Sequence, residues 1–276
     1  MATSATPWKA VVKRLLARAL LIKLRLTNTA VVRTVHNATP HEAPSTASQT
    51  IMRLFDKACS RRIYMTRVSL QAAKDPFGCF IPHGHYRDWY MPTYRTNQYI
   101  VRPNSALFFG LVRPYKGIES LLNACRAASE NVHLTIAGRP LDATYGDRIR
   151  ELASNTSQTT LILRFLSDRE LWNLISSSSL VILPFTRVTN SGSLLLALSA
   201  SKPVLTTESP MANELQAQYG SEWIMTYDGD LTADIVESAL AWAATDKGVL
   251  DMSDRDWSTV GQLTEALYRE VCSTSG

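Results

Sequence analysis

Acidic residues are absent from the first 41 positions of the chain; the earliest is Glu42. Cysteine is sparse. Cys59, Cys79, Cys125 and Cys272 stand far apart, which excludes a zinc knuckle and a CxxC redox pair. A disulfide framework is not expected at this size, and reduced cytosolic thiols are the default. Long apolar runs are missing too: none approaches the ~20 residues that cross a bilayer. Lys13, Arg14, Arg18 and Lys23 interrupt the leader-like stretch Trp8–Leu26, which argues against a secretory signal peptide. A basic organelle-transit peptide stays open for the same acid-free stretch. No internal repeat, low-complexity segment or RNA- or DNA-binding motif stands out, so nucleic acid is not an expected partner.

Apolar residues are plentiful: 45% of the 276 residues are hydrophobic and 19% charged, enough to bury a proper core. The net charge of +5 conceals a split. Residues 1–100 hold 15 lysines and arginines against 4 aspartates and glutamates, a balance of +11; residues 101–276 hold 14 against 20, a balance of −6. Opposite signs argue for two domains with different partners, the basic one suited to membrane lipid or a phosphorylated substrate. Trp8–Leu26 reads as a helix carrying Lys9, Lys13, Arg14 and Arg18 beside a wide apolar face. Two readings fit it: a core helix with solvated cations, or a helix lying on an anionic membrane surface.

β-rich runs alternate with helical patterns along most of the chain. Strands are predicted at Ala30–His36, Arg62–Thr66 and Cys79–Pro82, with a helix at Gln49–Arg61. Residues 86–104, with Pro92, Pro103 and aromatics of no clear period, read as an interdomain linker. Strands follow at Ala106–Gly110, His133–Ala137, Thr160–Phe165, Leu180–Leu183 and Pro203–Thr206. Helices are predicted at Ile118–Ala128, Tyr145–Ala153, Asp168–Ser177, Ser191–Ser201, Leu231–Ala244 and Asp254–Val271. This alternation predicts an α/β class with parallel sheets, whose ligands bind outside the carboxyl ends of the strands. The expected division is residues 1–100, residues 101–250 and a C-terminal helix within 251–276 that crosses back to the first domain.

Two loops carry the expected chemistry. In Gly110–Leu122, GLVRPYKGIESLL, Arg113 and Lys116 stand between a strand end and a helix start, a good diphosphate site. In LPFTRVTNSGSLLLALSASKPVL, residues 183–205, Asn190, Ser191, Gly192 and Ser193 open an apolar helix and leave its N–H groups to a phosphate.

These segments resemble the nucleotide-binding domain of GT-B glycosyltransferases, close to the large family 4. FFGLVRPYKGIESLL is similar to that family's strand–loop segment, LTIAGRP to its next strand, LILRFLSDRELWNLISSSSLVILPF to its base-binding strand, helix and following strand, and SGSLLLALSASKPVL to the next helix and strand. TVHNATPHE and IPHGHY resemble strand ends of the acceptor-side domain. The resemblance implies two Rossmann-like domains, the N-terminal one incomplete by roughly 70–100 residues against a usual ~100–200-residue domain. It further implies sugar transfer from a UDP- or GDP-linked donor to a hydroxyl of a lipid-linked or polysaccharide acceptor. The expected enzyme is cytoplasmic or peripheral on the inner face of the plasma membrane, without a metal.

By the same resemblance Arg113, Lys116, Asn190, Ser191, Gly192 and Ser193 hold the donor diphosphate. Gly110, Gly138, Arg139, Phe165 and Leu166 line the nucleotide, and His36 and Glu42 are the acceptor-side catalytic candidates. The sequence departs from the family at three places: Leu111 replaces the usual arginine, and Val188 and Leu196 occupy the positions of a glutamate pair. The alternative reading is therefore an inert remnant that binds nucleotide or serves as a partner subunit.

Overall fold

The computed structural model describes residues 7–36, 46–94, 99–129, 131–154, 158–186 and 192–274. The chain forms two compact units: Met1–His83 with Trp257–Gly276, and Gly84–Asp256. The boundary thus falls before the stretch expected to be a linker, not at residue 100.

The first unit opens with helix α1 (Pro7–Leu26), rich in Leu, Ala, Lys and Arg. Lys23 and Arg25 occupy its last turn, where cations complement the helix dipole. Leu21 is buried, while Trp8, Leu15 and Leu16 are exposed. Then come β1 (Val32–Val35), α2 (Thr46–Ala58), β2 (Arg61–Tyr64), α3 (Arg67–Ala73) and β3 (Gly78–Phe80). The three strands pair in parallel in the order β1-β2-β3. Helix α3 was missed from sequence, although Thr66 caps it by accepting from the Ser69 N–H. One charged network anchors this sheet. Asp75 receives bonds from Arg62 (3.0 Å to each oxygen), the Tyr64 hydroxyl (3.0 Å) and the Phe77 N–H (3.0 Å). Burial alone would raise the Asp75 carboxyl, but these bonds outweigh it and hold the group below its ordinary range.

The second unit begins with α4 (Arg87–Tyr94) inside the expected linker. The irregular aromatics there have tertiary partners. Tyr90 stacks on Trp172 at 4.9 Å, Trp89 Nε1 donates to Asp168 at 2.9 Å, and Arg87 Nε donates to the Ser199 carbonyl at 3.0 Å. After it follow β4 (Ser105–Phe109), α5 (Ile118–Ala127), β5 (His133–Ala137), α6 (Ala143–Ser154), β6 (Thr159–Ile162), α7 (Asp168–Ser177) and β7 (Leu180–Leu183). The unit continues through α8 (Gly192–Ser199), β8 (Val204–Thr207), α9 (Pro210–Tyr219), β9 (Ile224–Tyr227) and α10 (Ala233–Ala243). All six strands are parallel, in the order β6-β5-β4-β7-β8-β9. The sequence reversal between β4 and β7 is the switch point of a doubly wound sheet. Strands β4 and β7 are buried at every residue, as a sheet covered on both faces requires.

Before the last helix the chain makes a 3-10 turn at Ser253–Arg255, where helix had been expected. The fully buried Arg255 donates to the Tyr219 hydroxyl at 2.7 Å and to Gln218 at 3.1 Å. The buried His85 places Nε2 2.6 Å from Asp256 and accepts the Arg87 N–H at Nδ1, a structural role. Helix α11 (Trp257–Thr274) then belongs to the first unit, where Val260, Leu267 and Val271 pack with Ile63 of β2 and Ile81. Each such burial contributes about 1.5–3 kcal/mol.

Candidate functional site

The switch point brings the two predicted loops together. Strand β4 ends at Gly110, whose N–H donates to the Ala137 carbonyl at 3.0 Å. The next strand ends at Gly138 (φ 153°), where an added Cβ would lie 1.7 Å from the Gly110 oxygen. Gly117 has φ 68°, and a Cβ on it would fall 1.9 Å from the Pro184 oxygen. Glycine at both positions lets the strand ends and loops close on one another. The Thr186 N–H and hydroxyl both reach the Tyr115 carbonyl, at 3.1 and 3.0 Å. The loops after β4 and β7 are therefore stitched, not merely neighbours.

Lys116 sits in this junction. Its ammonium lies 3.5 Å from the Phe185 ring centroid and 5.5 Å from that of Tyr115. Phe185 in turn packs edge-on against Phe108 of β4 at 6.5 Å. Burial pushes the Lys116 ammonium down to about 8, the expected direction for a cation withdrawn from water. Arg113, half-buried, donates toward the Val112 carbonyl at 3.4 Å. Helix α8 starts over the same strand end: a Cβ on Gly110 would lie 3.4 Å from Ser193 Oγ. The loop after β4 thus carries two cations and is stitched to the loop after β7, and the amino terminus of α8 stands over the end of β4. Asn190 and Ser191 lie outside the described residues.

The remaining nucleotide candidates are spread along the sheet edge. Arg139 follows Gly138 and is exposed. Strand β6 stops at Ile162 and not at Phe165, so Phe165 stands on the loop, 79% exposed, while Leu166 packs on the core. Strand β6 is two strands from β4, about 10 Å at normal spacing. Leu111, the arginine replacement, is 51% exposed; Leu196 is buried in α8, and Val188 lies outside the described residues. On the first unit, His36 is exposed just past the end of β1, and Glu42 lies outside the described residues.

Sequence reading missed Tyr86. A Cβ on Gly192 would come within 3.1 Å of its hydroxyl, so Tyr86 stands at the first turn of α8. The sequence holds two Asp-x-Asp triplets, against the expectation that it has no such metal motif. In Asp254–Asp256 the carboxylates hold Tyr219, Gln218 and His85, and Asp228 of Asp228–Asp230 accepts the Gly229 N–H at 2.8 Å. Among the described residues no group of three His, Cys, Asp or Glu side chains is placed to hold a metal ion.

Residues 103–244 match the family described as glycosyl transferases group 1. The GDP-mannose:glycolipid 4-beta-D-mannosyltransferase of Xanthomonas campestris pv. campestris is 34% identical over 267 residues, covering 96% of this chain and 75% of that protein. Among solved structures, Anabaena HepE with UDP and glucose superposes with a TM-score of 0.68 at 17% identity, over 93% of this chain and 76% of that one. Sucrose-phosphate synthase from Thermosynechococcus elongatus gives 0.63 at 16% identity, over 92% and 71%. At these identities the structural likenesses establish the fold.

Proposed function

Because the chain belongs to the group 1 glycosyl transferases and has the GT-B fold, we propose that it moves a hexose from a nucleotide diphosphate sugar to a hydroxyl of a glycolipid. The observation that carries the reading is the junction of Lys116, Arg113 and the start of α8 around one strand end at the switch point. The Xanthomonas relative makes GDP-mannose the first donor to test.

Transfer breaks the anomeric C–O bond and leaves negative charge on the departing diphosphate. Lys116, Arg113 and the positive end of the α8 dipole stabilise that charge as it forms. Preorganised donors of this kind are worth about 3–4 kcal/mol each when removed. These cations do here what a metal does elsewhere, and the reaction needs none. On the acceptor side, His36 contacts the donor sugar or the acceptor, and, for an inverting transfer, Glu42 or His41 removes the proton of the attacking hydroxyl. The base lies against Phe165 and Leu166, with Arg139 beside it.

The basic α1 supports a membrane-side acceptor. It carries Arg14, Arg18, Lys23 and Arg25 with exposed Trp8, Leu15 and Leu16, the composition of a helix that lies on anionic lipid. No helix among the described residues is long and apolar enough to cross a membrane.

The test is turnover of GDP-mannose and UDP-glucose with a diphosphate-linked glycolipid in anionic vesicles. Release of the nucleotide diphosphate coupled to glycolipid extension supports the proposal. Tight nucleotide binding without transfer to any hydroxyl acceptor selects the inert-remnant reading, which Leu196 in place of a glutamate favours.

A further inference from the structure

The end of the six-stranded sheet opposite the switch point, where its strands begin, holds a cavity. About 430 Å³ opens where β4, β7, β8 and β9 begin, beside the end of α10. Its apolar wall includes Pro203, Trp223 and Leu240, and its polar groups include Lys202, Lys247 and Asn104. It lies a strand length from the switch point, about 15 Å for four to five residues, since parallel strands all begin at one end of the sheet and finish at the other.

Lys202 is the unusual member. It is half-buried between Ser201 (φ 52°), which ends the turn after α8, and Pro203, which directly precedes β8. Its backbone N–H returns to the Ala197 carbonyl at 3.0 Å, which fixes the stem. Among the described residues its ammonium has no hydrogen bond and no ion pair. Burial pushes it down to about 8, and no neighbouring carboxylate offsets the effect. The other lining cation is engaged. Lys247 donates to the Trp242 carbonyl at 2.7 Å, lies 4.8 Å from the Trp242 ring centroid and so neutralises the carbonyl end of α10. The lining carboxylate Asp246 accepts the Gly248 N–H at 3.1 Å. The Lys202 ammonium is half-buried yet within reach of solutes, and an anion entering the cavity would meet a cation with no carboxylate of its own.

We propose that this cavity is a second binding site, for a small organic anion with an apolar body, and that the Lys202 ammonium is its anchor. The volume lies at the small end of ligand pockets and suits a single-ring compound. Trp223 and Leu240 take the ring, and Lys202 takes a phosphate or carboxylate. Because the site is remote from the loops after β4 and β7, it binds independently of nucleotide.

The test uses the full chain with saturating GDP present, so that Lys116 is covered. Phenyl phosphate is the probe, followed by tryptophan fluorescence. Pyridoxal phosphate is the label: the lysine amine adds to its aldehyde, water leaves to form the imine, and borohydride supplies the hydride that fixes it. Saturable phenyl phosphate binding is expected, with pyridoxal phosphate trapped at Lys202 and displaced by phenyl phosphate. Lys202→Met should weaken phenyl phosphate at least about tenfold, the loss of one charge-assisted bond, with GDP affinity unchanged. Lys202→Arg should retain binding. Absence of saturable binding, equal protection of Lys202 by neutral phenol, or unchanged affinity in Lys202→Met would each overturn the site. Should Lys202→Met fail to fold, protection of Lys202 in the unaltered chain still decides.

Discussion

Lys116 gives the sharpest prediction. Its ammonium is half-buried over Phe185 and held down to about 8 by burial, against an ordinary 10.5. A diphosphate needs the charged form. Lys116→Ala should remove one hydrogen bond to a charged group, about 1.5–3 kcal/mol, and weaken GDP roughly 10- to 150-fold. Bound diphosphate restores the proton, so affinity depends on pH. With a free-state value near 8, raising pH from about 7 to about 9 should cost about tenfold in affinity. Lys116→Arg does not titrate there and should lose that slope while keeping most of the affinity. Stability runs the other way. The folded value lies below the unfolded one, so the penalty of burying the charge is full below about 8 and fades as pH approaches 10.5. The unliganded protein should thus gain stability from this residue across that window. Calorimetric titration of GDP at several pH values, with the arginine variant as control for titration of the base, checks each point. An alanine variant that binds GDP as tightly as the unaltered chain would refute the placement of the diphosphate.

Three further outcomes follow from the packing. Gly138→Ala puts a Cβ into the Gly110 carbonyl at 1.7 Å; it should lower Tm and weaken GDP at least about tenfold, the scale of a 1–3 kcal/mol backbone distortion. Leu267→Ala opens a hole between α11 and the small sheet, and denaturant melts should show about 2–5 kcal/mol lost from the first unit while GDP binding to the second persists. Asp75 is held below its ordinary 3.8, so it stabilises the first unit above that pH and the benefit disappears as pH falls through the folded value. Asp75→Ala should cost about 3–5 kcal/mol at neutral pH and flatten the acid limb of the stability curve, read by circular dichroism.

Regular elements of the second unit were legible because local and tertiary demands agree. His133–Ala137, Asp168–Ser177 and Leu180–Leu183 were read to the residue. Ser167 and Glu170 form a capping box that fixes the start of α7, and β7 is an uninterrupted apolar run. Where an element depends on distant partners, pattern failed. Helix α4 hid behind aromatics that answer to Trp172 and Asp168, not to each other. Helix α9 and β9 went unread although Ser209 and Pro210 carry an ordinary start signal. Arg113, Lys116 and Ser193 stand on or beside loops at strand ends, whose places the strand–helix alternation makes predictable. Tyr86 was missed, since only folding brings residue 86 beside residue 192. Strand order, which makes two loops 70 residues apart into neighbours, is likewise invisible locally.

The first unit is assembled from two separate stretches of chain, with α11 closing over β2 after the whole of Gly84–Asp256 has intervened. Protein synthesis runs in one direction. The six-stranded unit therefore leaves the ribosome complete and can fold as a unit, while the small sheet, already made, waits for its last wall. During that interval Ile63 and Ile81 lack Val260, Leu267 and Val271, and the newborn chain offers an apolar face that α11 later covers. Cellular yield of the protein should accordingly be governed by the fate of the small sheet before α11 is made, a task for chaperones more than for the stability of the finished fold.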